Sequence, residues 1–141
     1  MMDDNATEEL KNLTDNWQDQ ESRTKEAFIR LKGHLEKMDD LALDFTARAG
    51  VSYSLRPRHK NQSKRLLFAM VDVIDDDPTD RWLSVCFYGE MISDPEERGD
   101  IVPGGLMGED GHCFDLDQFD DGLLEYIEAR LTEAHQAAAQ E

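Results

Sequence analysis

The stretch from Leu66 to Gly89 constrains the fold more than any other. Two β-rich runs, LLFAMVDVI and RWLSVCFYG, flank a short polar linker, DDDPTD. Their β-branched and aromatic content reads as strand, and Asp and Pro in the linker favour a turn through local hydrogen bonds and a fixed φ. The pair is therefore expected to form the two central strands of an antiparallel sheet. In the first, Leu67, Ala69, Val71 and Val73 alternate with Phe68, Met70, Asp72 and Ile74, so both faces are largely apolar and each needs a cover. In the second, Leu83, Val85 and Phe87 share one face, while Trp82, Ser84, Cys86 and Tyr88 form a larger, amphipathic one.

Upstream, residues 7–38 read as one long helix, opened by Thr7 with Glu8 and Glu9 in its first turn. Leu10, Trp17, Phe28, Leu31, Leu35 and Met38 keep a 3,4 spacing that Thr14, Glu21 and Thr24 interrupt. At 1.5 Å per residue such a helix reaches about 48 Å, longer than a compact domain of this size is wide. Either it breaks near Gly33 or residues 1–27 project or fray, with Leu10, Leu13 and Trp17 on a dimer arm. Residues 41–47 and 51–55 then read as a hairpin that Pro57 stops, and the region from Gly89 to Cys113 as an irregular loop with a short edge strand at Ile101 and Val102. A brief strand from Cys113 to Leu116 leads to a helix over 118–138, striped by Phe119, Leu123, Tyr126, Ile127, Arg130, Leu131 and Ala134. The expected fold is one α+β domain over residues 1–141: an antiparallel meander of four to five strands, a long N-terminal helix and a C-terminal helix packed on the sheet.

Charge narrows the partners. The net charge is −17, yet residues 1–65 hold 12 acidic and 12 basic side chains, so the whole excess lies in residues 66–141, with 20 acids against Arg81, Arg98 and Arg130. Such a field repels phosphates, so neither nucleic acid nor a membrane surface is expected as a partner; a basic protein suits it, through an interaction that salt weakens. MMDDNATEEL has no basic or apolar targeting region, and no run approaches the ~20 apolar residues of a membrane span, so a cytoplasmic location is expected. Cys86 and Cys113 lack CxxC spacing and read as two reduced thiols, not as a zinc site or a disulfide. No cofactor and no metal is expected.

Two clusters carry possible chemistry. Arg56, Arg58, His59, Lys60, Lys64 and Arg65 form the one basic cluster, either a grip for phosphate or carboxylate or a solvated loop that meets the acidic half of a neighbouring molecule. Asp110, His112 and Cys113 are potential ligands or catalytic groups, with no fourth ligand and no GxGxxG or GxxxxGK[ST] frame beside them. Asp117, Asp121, Gly122 and Glu128 match part of a calcium loop, but Phe119 occupies an oxygen-ligand position, which rejects it.

The expected function is therefore a noncatalytic binding or adaptor module. The alternative is a small-ligand-binding protein or a hydrolase using the 99–113 loop, and the distance from His112 to an acid separates the two. In size, low pI and amphipathic C-terminal helix the chain resembles small acidic secretion chaperones, which implies a dimer that holds an effector segment; the helix those chaperones carry between their third and fourth strands has no counterpart in DDDPTD. A homodimer also follows from counting covers against faces. The helical stripe from Phe28 to Met38 is too short to hide Phe68, Met70, Ile74, Trp82 and Tyr88, which, with Trp17, mark the expected interface. If both helices share one face, the other is more exposed still.

Overall fold

The computed structural model describes residues 2–141. Three helices, α1 (Asp4–Asn16), α2 (Thr24–Glu36) and α3 (Asp121–Ala138), accompany six strands: β1 (Leu41–Arg48), β2 (Ser52–His59), β3 (Met70–Ile74), β4 (Trp82–Tyr88), β5 (Asp100–Leu106) and β6 (Glu109–Leu116). The strands form one antiparallel sheet in the order β1-β2-β3-β4-β6-β5. The fold is α+β, with six strands where four to five were expected. No helix is long and apolar enough to cross a membrane among the described residues.

The expected long helix is two short ones. It breaks across residues 17–23 and not at Gly33, in the polar stretch where the apolar spacing was already interrupted. Asp3 caps α1 by accepting from the Ala6 N–H at 2.7 Å, and Trp17 leaves the helix in an extended conformation. The Asp19 carboxylate accepts from the Lys25 and Glu26 N–H groups at 3.2 Å each, satisfying donors that a helix start leaves orphaned. Nothing projects: Ala6, Leu10, Leu13 and Trp17 are all buried, and α1 lies against β1.

Register explains the rest of the core. Phe45, Leu55, Val71, Val85 and Phe114 form one cross-strand row and Ala47, Tyr53, Val73, Leu83 and Leu116 the next, so one face collects most of the sheet's large apolar side chains. All three helices pack on this face and join one hydrophobic cluster with it. Arg30 bridges the helices, reaching Asp121 of α3 at 2.6 Å and Glu128 at 2.9 Å. The expectation of a cover on each face fails, because the buried stripes of the three short helices converge on one side.

Several strand limits move. β2 runs through Pro57, which costs a strand only its N–H, and the Pro57 carbonyl accepts from Phe68 N–H at 2.9 Å. Leu66–Ala69 lie before β3 and do not continue its alternation. The expected loop from Gly89 to Cys113 is mostly the β5–β6 hairpin, which turns through Met107 (φ 51°) and Gly108 (φ 84°), both in the left-handed region that a tight two-residue turn uses. No helix stands between β3 and β4.

The cysteines are also corrected. Cys86 and Cys113 are direct partners across β4 and β6, with Cα atoms 4.1 Å apart, and their sulfurs are bonded. A sequence separation of 27 residues gives no hint of this, since the register of two strands creates the proximity.

Candidate functional site

The trio Asp110, His112 and Cys113 does not converge. Strand pleating sends neighbouring side chains to opposite faces. His112 lies on the helix side and Cys113 on the other, tied to Cys86, while Asp110 accepts from Gly104 N–H at 3.1 Å within the hairpin.

His112 does meet an acid, which sequence reasoning did not identify. Its Nε2 lies 2.8 Å from Asp94 Oδ2, and a carboxylate is acceptor only, so Nε2 carries the proton. Asp94 also accepts from Arg98 N–H at 3.0 Å, Gly99 N–H at 2.9 Å and the Tyr126 hydroxyl. Burial works to raise the Asp94 carboxyl, but the hydrogen bonds from Tyr126, Gly99, His112 and Arg98 outweigh it and hold the group well below the usual carboxylate range. The chain passes close here, since a Cβ on Gly99 would sit 2.7 Å from the His112 ring. With four donors around it the carboxylate is spent on joining the 94–99 loop, β6 and α3. Its sequence signal was the Asp-Pro pair at 94–95, a turn initiator. His112 borders an open cleft of about 510 Å³ with Arg65, Tyr88, Glu90 and Glu109. Among the described residues no group of three or more His, Cys, Asp or Glu side chains is placed to hold a metal ion.

The basic cluster is dispersed. Arg56 and Arg58 point from β2 to the helix-free side of the sheet, where with Asp44, Leu66 and Met107 they line a groove of about 300 Å³. His59 is buried, its ring 4.8 Å from that of His135. Lys60 and Lys64 are exposed. Arg65 folds over Tyr88 at 4.0 Å and pairs with Glu90 at 2.6 Å and Glu109 at 2.9 Å.

The other face of the sheet carries no helix, and the β5–β6 turn reaches its β1–β2 end through Met107. Its middle row runs Thr46, Ser54, Asp72, Ser84, Asp115. Arg48, Ser52, Ile74 and Trp82 form the next row, and Met70 stands beside the Cys86–Cys113 bridge. Met70, Ile74 and Trp82 are half-buried. Asp72 lies among them with its Oδ1 buried and without a hydrogen-bond partner among the described residues. Burial pushes its carboxyl up, opposed by Ser54, Arg56 and Arg48. Of the expected interface, Met70 and Trp82 lie on this face. Tyr88 shares the face by alternation in β4 but is buried beneath Arg65, whereas Trp17 packs on Phe28, with ring centroids 6.0 Å apart, and Phe68 packs under His135 at 5.7 Å.

No protein-family model matches the chain, and no curated protein or solved structure does.

Proposed function

We propose that the chain is a noncatalytic protein-binding module that works through the helix-free face of its sheet. The observation that carries this reading is the packing of all three helices on one side, which leaves Met70, Ile74 and Trp82 on a face without a helix and only half-buried. Apolar patches rimmed by polar side chains mark interaction sites. The acidic excess of residues 66–141 suits a basic partner; the cytoplasmic setting that goes with this reading requires the Cys86–Cys113 bond to open, since a reducing compartment rarely keeps such bonds.

The test is affinity capture from the native cell with wild type, with Ile74→Glu/Trp82→Glu, and with a control, Ile29→Glu, placed on the 48% exposed Ile29 of α2. A partner held by wild type and the control but released by the double variant supports the reading. Equal capture by all three overturns it.

The cleft beside His112 favours a second reading, a small-ligand or hydrolytic site. It predicts that His112→Ala abolishes binding or turnover while folding is unchanged. The four hydrogen bonds that commit Asp94 to holding its loop weigh against it.

A further inference from the structure

In a chain with 32 acidic and 15 basic side chains, an arginine without an acid beside it is an exception. Arg23, Arg30, Arg65, Arg81, Arg98 and Arg130 each pair with a carboxylate. Among the described residues Arg48, Arg56 and Arg58 do not, and all three belong to the helix-free side of β1 and β2. Arg56 donates through Nε to Ser54 Oγ at 3.0 Å, and Arg58 through one Nη to the Gln62 carbonyl at 3.1 Å, so each guanidinium keeps further donors. Asp72 acts on Arg56 without pairing with it. Asp44 is directly opposite Arg56 in register, yet among the described residues the two form no ion pair, and Asp44 Oδ1 accepts from the Phe45 N–H at 2.9 Å. Two cations and one anion are thus presented side by side and unjoined.

These three groups line the groove of about 300 Å³, whose other walls are apolar. Ala42 is opposite Arg58, and its small side chain keeps the floor low. Leu66 and Met107, 72% and 51% exposed, stand beside it, Met107 being held there by the tight β5–β6 turn. We propose that this groove binds a free α-amino acid with an aliphatic side chain, its carboxylate on Arg56 and Arg58, its ammonium on Asp44 and its side chain between Leu66 and Met107. A guanidinium matches a carboxylate through paired N–H donors. In an α-amino acid the two charged groups share one carbon, and directly opposed cross-strand side chains start only ~5 Å apart, so Asp44 and Arg56 suit the two ends of one ligand. The volume lies at the small end of ligand pockets, as a molecule of this size requires. Other anions fit less well. A phosphate or an aliphatic carboxylate brings negative charge to Asp44 and to a chain of net charge −17, whereas a zwitterion brings none. The site is distinct from Ile74 and Trp82, so it goes beyond the protein-binding reading and does not depend on it.

The experiment is a titration of isotope-labelled protein followed through its amide chemical shifts. Leucine is expected to saturate at millimolar concentration or below and to shift the amides of Ala42, Asp44, Arg58, Leu66 and Met107. N-acetyl-leucine lacks the ammonium and leucinamide the carboxylate, so each should bind at least about tenfold more weakly, the factor that loss of a hydrogen bond between charged groups brings. Arg56→Ala/Arg58→Ala should remove binding, with circular dichroism checking the fold; should that variant unfold, Arg58→Gln, at an exposed position, takes its place. Asp44→Asn should weaken leucine but not N-acetyl-leucine, a change of preference that structural damage alone does not produce. No saturable shift at the groove with leucine, N-acetyl-leucine bound as tightly as leucine by wild type, or leucine binding undiminished in the arginine variant overturns the inference. Ile74→Glu/Trp82→Glu leaves the groove residues intact, so capture judges the protein-binding reading separately.

Discussion

Asp94 sets the position of three segments with one carboxylate. Replacing it by Asn keeps the shape and removes the charge that four donors share, so Asp94→Asn should lower stability by about 2 kcal/mol in urea unfolding at neutral pH. The pH dependence has a definite sign. The folded carboxyl is depressed, so its contribution is full above the unfolded value near 4 and is lost as pH falls through the folded one. The gap between wild type and variant should therefore close below about pH 4; a gap unchanged at pH 3 would show that the charge is not what stabilises. At this scale the sequence was least legible. Asp110, His112 and Cys113 are close in the chain, and a β pleat with a hairpin turn assigns them to three different tasks, whereas His112 is joined to Asp94, which Tyr126 also holds.

Among the elements, period was legible and extent was not. The helical stripe of Leu10, Trp17, Phe28, Leu31 and Leu35 is buried, apart from its end at the half-buried Met38. Its break came from caps and from an extended Trp17, and these depend on Asp19 reaching forward over a polar turn, which spacing does not reveal. The consequence is measurable. Trp17→Ala should cost about 3–5 kcal/mol, the loss expected for a large buried aromatic, whereas a projecting arm would leave the unfolding midpoint unmoved. Similarly, the alternation of β3 and β4 was read correctly, but extending it back to Phe68 placed that ring on the wrong face, because the chain enters β3 only at Met70.

For the molecule as a whole, the fold class followed from the order of patterns, but the distribution of helices did not: three short amphipathic elements can cover two faces or one, and their sequences do not choose. The cysteine bridge acts at this scale as well, since it ties two strands that the β5 excursion separates by 27 residues. Closing a loop of that size typically contributes about 2–4 kcal/mol. Oxidised protein should thus resist alkylation of both cysteines until reductant is added, and reduction should lower its melting temperature. Free thiols in freshly isolated protein would instead point to a reducing compartment, where such bonds rarely persist.

The sheet also has two free margins, and they are unlike. β5 is irregular between Val102 and Leu106, and Pro103 removes a donor from it, so this margin makes a poor template for another strand. β1 keeps an unbroken eight-residue register against β2 and carries only Asp44 and Arg48 as charged guards. Should the protein polymerise under stress, growth would be one-sided: new chains would add at β1, and a single proline or lysine there would act as a chain terminator.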